Sequence, residues 1–474
     1  MAITSFLKSK KNICKKLVDS LLEKYPYASI LGVDTTGLRI QCDKFNTSIS
    51  ESNECERGFV VKVYDGKGYL EYSFNDLDDN NVDEISKKIK NFEIKESNRV
   101  SAKMLNDEEL TESFSREDNS PMTCDEIVNS LNEVKDKILS KSELIINAFA
   151  LYEKLSISKI FISKNKNLEQ DYSWINVLIM PIARRNNTIK TARSGAGSTN
   201  SKDCIKEALA KADDAVALSI GLLDSLPIVP GTYDVITDPS ITGLIAHEAF
   251  GHGVEMDMIV KNRAKSKDYF GKYVASPIVS MRDGAKSGLS VASYFFDDDG
   301  ILGHDTEIIK DGILVAGMSD ALSAMQLETI PTGNGRRESF THKAYTRMTN
   351  TFFVPGKDNV EDMIKSIDYG FYLCDTNNGM EDPKNWQIQC VCEYAREIKD
   401  GKFTGRLFSP VILSGYVLDV LKSISMVSDA FVLSGEGHCG KGHKEWVRVS
   451  DGGPHLKARV KLGWTKKLIE LLIL

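Results

Sequence analysis

The chain has 474 residues, with 60 lysines and arginines, 67 aspartates and glutamates, and a hydrophobic fraction of 42%. This apolar content suffices for packed cores, which excludes a disordered protein, and the length exceeds what one core usually supports. The net charge of −7 and the pI near 5.7 disfavour nucleic acid as a partner, because such binding needs a basic face.

Patterns of apolar residues predict several helices and strands in the first half of the chain. Helices are predicted over residues 9–24, 82–92, 123–140 and 201–224. Thr123 is a good N-cap for the third of these helices. Strand-like segments fill residues 28–70 and 143–191. The first half is therefore interpreted as an α/β domain.

The loop SLPIVPG contains two prolines and a glycine, which indicates a domain boundary near residue 228. The following part mixes one strong helix with many glycine-rich and β-rich segments. We therefore expect an α+β protein, with an N-terminal α/β domain over residues 1–228 and a β-rich domain over residues 229–474. The apolar end LIELLIL is too short to span a membrane and is predicted to pack internally or at an interface.

The nine cysteines are scattered without a CxxC pair, which favours a reducing compartment over a disulfide framework. The opening residues lack the apolar core of a secretory signal. No apolar run reaches the roughly 18 residues that a membrane-spanning helix needs. These features predict a cytoplasmic protein without a membrane partner.

The strongest chemical signal is the segment DPSITGLIAHEAFGHGVEMD. Asp238 suits the N-cap of a helix, and Pro239 suits its first turn, where no amide donor is needed. His247, Glu248 and His252 follow in the order H-E-x-x-x-H. Histidine and glutamate in such an arrangement indicate a metal site with a carboxylate beside it.

The spacing of this motif differs from the HExxH pattern of many zinc peptidases, in which both histidines share one helical face. Histidines five residues apart lie about 140° apart around a regular α-helix. One metal ion would therefore require either a π-bulge, which brings i and i+5 together, or unwinding at Gly251 or Gly253. A third ligand is also needed, and the residues alone leave both Glu255 and Cys439 open.

The segment TGNGRR is a second candidate site. Gly333 and Gly335 expose backbone, and Arg336 and Arg337 carry guanidinium groups that can hold a carboxylate or a peptide carbonyl. We predict these four residues to bind substrate. The alternative is a structural turn in which one arginine forms an internal ion pair.

Several of these segments together resemble the TldD/PmbA (TldE) family. The matching stretches are HEAFGHGVEMD (His247 to Asp257), FDDDGILGHDTEIIKDGIL (Phe296 to Leu314), PTGNGRRESF and RMTNTFFVPG (within Pro331 to Gly356), and GHCGKG (Gly437 to Gly442). The combination of HExxxH, TGNGRR and CGKG is far more specific than any one motif. The first half matches more loosely, mainly in its opening helix and the segment TARSGAG.

The resemblance implies a zinc-dependent peptidase of the TldD type, since PmbA-like partners lack HExxxH. It places the zinc ligands on His247, His252 and Cys439, with Glu248 as the carboxylate that activates a zinc-bound water. It also implies a barrel-like C-terminal domain that carries the HExxxH helix. The implied assembly is a homodimer, or a heterodimer with a TldE/PmbA-like subunit, around a cavity for unfolded or small peptides. The competing hypothesis is a non-catalytic partner or scaffold with a structural metal.

Overall fold

The computed structural model describes residues 3–92, 102–441 and 444–463. The apolar end LIELLIL lies outside these residues. No helix in the described part of the chain has both the length and the apolar character needed to cross a membrane. All nine cysteines are free thiols.

The first half forms a nine-stranded sheet in the order β4-β3-β1-β6-β7-β5, with β2 on β1 and both β8 and β9 on β7. The pairs are antiparallel except β5 with β7, which is parallel. The strands are β1 (Tyr27–Cys42), β2 (Thr47–Glu51), β3 (Glu56–Tyr64), β4 (Tyr69–Phe74), β5 (Leu110–Arg116), β6 (Ile145–Ser163), β7 (Lys166–Arg185), β8 (Thr188–Thr191) and β9 (Ser194–Ser198).

Five helices cover one face of this sheet. They are α1 (Ser5–Leu22), α2 (Val82–Lys90), α3 (Cys124–Ser140), α4 (Ser201–Ala210) and α5 (Ala212–Gly221). Ile30 of β1 packs under α1 and α2, whereas the next residue, Leu31, points to the opposite face. That opposite face packs against Phe296 and Phe340 from the second half. The sheet therefore links a helical layer to the second half of the chain.

The single helix predicted over residues 201–224 is wrong in one respect, because the structure divides it into α4, α5 and a 3₁₀ turn, Leu222–Asp224. The break falls at Lys211, whose ammonium donates to the Gly195 carbonyl of β9 at 2.8 Å. This tertiary contact has no counterpart in the local apolar pattern. The helix predicted over residues 123–140 is confirmed as α3, and Thr123 caps it in a reciprocal capping box with Glu126.

The second half contains fifteen described strands and five α-helices. The strands are β10 (Gly231–Thr237), β11 (Met281–Asp283), β12 (Thr306–Lys310), β13 (Ile313–Leu314), β14 (Gly335–Arg336), β15 (Tyr345–Thr346), β16 (Asn350–Phe353), β17 (Tyr369–Asp382), β18 (Gln387–Lys399), β19 (Lys402–Phe408), β20 (Val411–Tyr416), β21 (Met426–Val427), β22 (Val432–Lys441), β23 (Lys444–Gly453) and β24 (Leu456–Gly463). The helices are α6 (Pro239–Leu244), α7 (Met256–Val260), α8 (Ala321–Gln326), α9 (Val360–Lys365) and α10 (Val417–Lys422).

Five of these strands close into a barrel in the order β10-β17-β18-β20-β24, because β10 also pairs with β24. A six-stranded sheet, β13-β12-β11-β16-β23-β22, lies beside it and ends in the β22–β23 ribbon. The helix that follows β10 packs between the two, since Leu244 and Phe250 share one core with Leu373 of β17 and Val449 of β23. The predicted α+β class with a barrel-like second domain is confirmed.

The two halves meet through buried ion pairs. Lys62 of β3 binds Asp299, and Lys159 of β6 binds Asp298. These aspartates belong to the turn that begins at Asp297, where the Gly300 amide donates to the Asp297 carbonyl at 3.1 Å. The DDD triplet therefore forms a turn that fixes the two halves together.

Candidate metal centre

A π-helix carries the HExxxH motif. Asp238 caps α6 by accepting from the Ile241 amide at 2.8 Å, and Pro239 occupies the first turn. The chain then forms a π-helix over Ile245–Gly251, and the His252 amide donates to the His247 carbonyl five residues earlier. This wider turn brings residues i and i+5 onto one face. Of the two geometries that the spacing allowed, the structure has the π-helix.

The π-helix brings the two imidazoles beside a thiol from a distant strand. The His247 and His252 rings lie 5.1 Å apart, centroid to centroid, and perpendicular to each other. Cys439 Sγ in β22 lies 3.4 Å from His252 Nε2. One ligand atom from each of the three residues lies within 4.8 Å of the other two. The structure thus assembles the predicted triad.

This donor set fits zinc. Metal–ligand bonds of about 2.0–2.3 Å in a tetrahedral site put neighbouring ligand atoms roughly 3.3–3.8 Å apart, close to the Sγ–Nε2 distance. His247 Nδ1 is buried and has no hydrogen-bond partner among the described residues. Two imidazoles and a thiolate are typical zinc ligands. Three protein ligands leave a fourth position for water or substrate.

The side chains of the triad shift one another's pKa values in opposite directions. Burial would raise the pKa of the Cys439 thiol, but the imidazoles of His252 and His247 hold that pKa well below its usual value. Burial would lower the pKa of His252, whereas the charges of Cys439 and Glu255 raise it well above its usual value. These shifts favour the thiolate of Cys439, which is the form that binds metal, and a proton on His252 that a metal ion would displace.

Glu255, one of the two candidate third ligands, lies behind His252. Its Oε2 is 3.3 Å from His252 Nδ1 and 3.0 Å from Lys441 Nζ. Burial would raise the pKa of Glu255, but Lys441 and His252 lower it to about 2, so the group is a carboxylate. Glu255 accepts the proton on His252 Nδ1, so Nε2 is the ring nitrogen that faces Cys439 and that a metal ion would bind.

Arg347 holds the backbone of the third candidate ligand. Its Nη2 donates to the Cys439 carbonyl at 2.7 Å, and its side chain is 1% exposed. Lys441 also donates to Asp257 at 2.6 Å, which ties the β22 strand to the helix after His252. Sequence reasoning missed Arg347 and Lys441. In the sequence, both residues lie in stretches that carry the family resemblance, Arg347 in RMTN and Lys441 in GHCGKG.

Glu248 lies at the edge of the triad. Its Oε2 is 4.0 Å from His252 Nε2, and its side chain is 15% exposed. Strand β17 approaches it closely, since a Cβ on Gly379 would lie 2.4 Å from Glu248 Cγ. Gly379 is a third residue that sequence reasoning missed, because its role depends on contact with a helix more than a hundred residues earlier.

The TGNGRR segment has structural partners at all four of its predicted substrate residues. Gly333 adopts a φ of +74°, and the Gly335 amide donates to Asp297 at 2.8 Å. Arg337 forms a bidentate ion pair with Glu71 of β4, at 2.9 and 2.6 Å. Arg336 donates to the Met348 carbonyl at 2.7 Å, and both arginines line a cavity. The structure does not bring Arg337 to the triad but to the interface between the halves.

The second half of the chain matches a known protein-family domain. Residues 230–461 match the PmbA/TldA metallopeptidase C-terminal domain. A TldD-homologue metalloprotease of Buchnera aphidicola from Schizaphis graminum is 34% identical over 296 residues, which are 60% of this chain and 59% of that protein. The chain thus spans less than two thirds of that relative.

In two archaeal relatives, the match to this chain covers a larger share of the relative's own length. A metalloprotease of Methanocaldococcus jannaschii is 29% identical over 69% of this chain and 74% of that protein. A zinc metalloprotease TldD homologue of Saccharolobus solfataricus is 26% identical over 72% of this chain and 76% of that protein. These relatives are described as metalloproteases, and the last as a zinc enzyme.

Solved structures share the fold over nearly the whole chain. A putative modulator of a DNA gyrase from Thermotoga maritima superposes with a TM-score of 0.75 at 17% identity, covering 94% of this chain and 99% of that one. TldE from Thermococcus kodakarensis gives 0.73 at 15% identity, covering 95% and 99%. The barrel and the triad of this α+β protein lie within the residues that match the PmbA/TldA metallopeptidase C-terminal domain. The chain belongs to the TldD/PmbA family.

Proposed function

We propose that this protein is a zinc-dependent peptidase of the TldD type that hydrolyses peptide bonds of unfolded or small peptides. His247, His252 and Cys439 would hold the zinc ion, and Glu248 would be the catalytic carboxylate. The observation that carries the proposal is the π-helix, which gathers two imidazoles and a carboxylate beside a distant thiolate. The relatives described as metalloproteases support it.

A zinc ion in such a site polarises a peptide carbonyl and lowers the pKa of water. Proton transfer and the orientation of the ligands depend on residues of the chain itself. Glu248, 4.0 Å from His252 Nε2, is placed to accept the proton of the attacking water and return it to the leaving amine. Glu255 orients His252 through Nδ1. Arg347 fixes the Cys439 carbonyl and so the position of its thiolate.

The test compares metal content and cleavage of an unfolded peptide for the parent chain and Glu248→Gln. The variant should keep its zinc, because Glu248 is not a proposed ligand, and should lose at least a hundredfold in kcat, since a positioned general base contributes about 10²–10⁴. Glu361→Gln, at an exposed helical position, is the matched control. Equal cleavage by both variants would rule out Glu248 as the base.

Cys439→Ala tests the ligand set separately. Loss of the thiolate should lower the zinc content, while the buried Cys204, far from the triad, can be changed to Ala with zinc retained. Unchanged zinc in Cys439→Ala would return Glu255 as the third ligand.

The competing function is a non-catalytic partner or scaffold with a structural metal. Glu248 is the discriminating residue, because a structural metal site needs no carboxylate beside it. We further propose a cytoplasmic dimer, either of two copies or with a TldE/PmbA-like subunit, in keeping with the structural likeness to a TldE protein. Copurification of the tagged chain followed by mass spectrometry distinguishes the two assemblies.

A further inference from the structure

The chain that follows the second histidine of the triad is strongly basic. Residues 261–272, here called the basic segment, hold five basic residues and one acidic residue, in a protein whose net charge is −7. The acidic residue is Asp268, and the basic residues are Lys261, Arg263, Lys265, Lys267 and Lys272. The local charge is therefore opposite in sign to that of the whole molecule.

The basic segment lies directly against the metal centre. Ser266 Oγ donates to the carbonyl of Gly253, the residue that follows His252. The Lys265 amide donates at 3.0 Å to the carbonyl of Pro383, in the turn directly after β17. This is the strand that approaches the proposed catalytic carboxylate. The segment therefore borders both the chain that carries the triad histidines and the strand on the other side of the site.

Buried small residues anchor the segment and direct its cations outward. Ala264 is 3% exposed and Ser266 is fully buried, whereas the neighbouring Arg263 and Lys267 are exposed. Lys272, at the end of the segment, is exposed as well. The backbone is thus fixed beside the metal centre while the charged groups reach solvent.

Most of these charges are not neutralised within the protein. Of the five cations, Lys261 alone forms an ion pair with a carboxylate of the described residues, at 3.0 Å from Asp257. Lys267 Nζ donates to an amide side chain, and Lys272 Nζ donates to a backbone carbonyl at 2.8 Å. Lys265 Nζ lies 4.9 Å from the centre of an aromatic ring. Their positive charge can therefore attract an outside partner.

The acidic groups near the segment are engaged or buried. Asp257 binds two lysines, and Asp382 accepts from an asparagine side chain at 2.6 Å. Glu255 is 1% exposed, and both carboxyl oxygens of Glu381 are buried. Asp268 is exposed but offsets one charge of five. The surface beside the metal centre therefore keeps an excess of positive charge.

We propose that the basic segment binds acidic residues of a peptide that lies across the metal centre. Charge complementarity between the segment and an acidic peptide favours their association. Several acidic residues are needed, because each exposed ion pair contributes little by itself. The proposal rests on the proposed function, which brings the peptide to the metal centre, and it narrows the substrate class to peptides with acidic stretches.

The experiment measures peptide binding by fluorescence anisotropy, using the full Glu248→Gln chain so that cleavage does not consume the ligand. The probe is a labelled peptide with three glutamates at each end and an apolar centre, and its counterpart has glutamines instead. At about 0.05 M salt the glutamate peptide should bind at least about fivefold more tightly, since three exposed ion pairs each contribute a factor of about 1.5–5. At about 0.5 M salt, which screens exposed charges, the preference should fall below about twofold.

Variants of the segment should change this preference in two steps. Arg263→Gln with Lys267→Gln lowers the net charge of the segment from +4 to +2 and should at least halve the preference. Arg263→Glu with Lys267→Glu brings the net charge to zero and should remove it. Lys202→Gln with Lys206→Gln changes two exposed lysines at the same spacing on α4, and should leave the preference intact.

Equal binding of the two peptides at low salt would overturn the proposal, as would a preference that survives the double glutamate variant. Treatment with a chelator should leave the preference in place, and its disappearance would mean that the glutamates bind the metal ion instead. An oligothymidine of the same length is the last probe. Its binding more tightly than the glutamate peptide would assign the surface to single-stranded nucleic acid and overturn the proposal.

None of these binding measurements depends on peptide cleavage. A preference for glutamate in a chain that cleaves no peptide would contradict the proposed function alone. Cleavage without any preference for glutamate would contradict the role of the basic segment alone.

Discussion

The side chain behind a metal ligand decides which of its nitrogens is free. Glu255 contacts His252 Nδ1 and is itself held by Lys441 on β22. One carboxylate therefore connects the helix that carries the histidines to the strand that carries the cysteine. This arrangement explains why Glu255 looked like a candidate ligand in the sequence, since it is close to the metal centre without belonging to the triad.

Replacing Glu255 should weaken zinc binding without removing a ligand. We expect Glu255→Gln to lower zinc affinity by about 10–100-fold, the usual cost of losing a partner that orients a ligand. Competition with a chromophoric chelator measures the affinity, and Glu361→Gln, at an exposed position, serves as the control. An affinity within twofold of the parent would show that His252 does not need this carboxylate.

Asp238 gives the helix a pH-dependent stability. Burial raises the pKa of this N-cap carboxyl to about 6, against the hydrogen bonds from the Ile241 and Asp375 amides. Because the folded pKa lies above the unfolded one, the contribution to stability is fully present below the unfolded pKa. It is lost as the pH rises through about 6.

Asp238→Asn should remove this pH dependence, because asparagine caps helices as well as aspartate does. The stability of the variant relative to the parent should be higher at pH 7.5 than at pH 5, by about 1.4 kcal/mol. Thermal unfolding of both proteins at the two pH values measures the difference. A stability difference between the two proteins that is the same at both pH values would contradict the raised pKa of Asp238.

At the scale of elements, the position of Glu248 depends on the strand that approaches it. A Cβ at Gly379 of β17 would lie 2.4 Å from Glu248 Cγ and 2.9 Å from Leu244 Cδ1. Both distances are shorter than carbon atoms tolerate. The absence of a side chain at Gly379 therefore gives the proposed catalytic carboxylate its room.

Gly379→Ala should displace Glu248 while leaving the triad in place. We expect kcat for peptide cleavage to fall by about tenfold or more with zinc content unchanged, since a small misplacement of a catalytic group costs large factors. Gly463→Ala is the matched control, because its added Cβ would meet its nearest neighbour at 4.0 Å. Full activity in Gly379→Ala would show that displacing Glu248 does not lower kcat.

Local patterns predicted the elements around the metal centre well. The cap at Asp238, the proline at position 239 and the five-residue spacing of the histidines together led to the π-helix as one of two options. The residues alone left Glu255 and Cys439 open as third ligands, and the family resemblance favoured Cys439. Arg347 and Gly379 escaped prediction, because each acts through contact with a residue about a hundred positions away in sequence.

At the scale of the whole molecule, buried charges connect the two halves. Lys62 Nζ lies 3.2 Å from Glu71 and binds Asp299, and its side chain is 7% exposed. Glu71 in turn holds Arg337. Glu71 and Arg337 lie 266 residues apart, so no local pattern could predict their pairing. Sheet order and barrel closure escaped prediction for the same reason, since both depend on non-local pairing.

Asp299→Asn should destabilise the protein strongly, because it leaves the buried Lys62 with less compensation. We expect a loss of about 3 kcal/mol, against less than about 1 kcal/mol for Asp305→Asn, whose ion pair with Arg282 is partly exposed. Urea denaturation followed by circular dichroism measures both. Equal losses would mean that the interface charges contribute no more than surface charges.

The distance along the chain between the ligands has a consequence for synthesis. His252 and Cys439 are separated by 187 residues, and β24, which closes the barrel, follows Cys439. A nascent chain that has emerged as far as α10 carries both histidines and Glu248 but no third ligand. Under the proposed function, peptide hydrolysis can begin only once β22 has left the ribosome, and a chain truncated before Cys439 has an incomplete metal site.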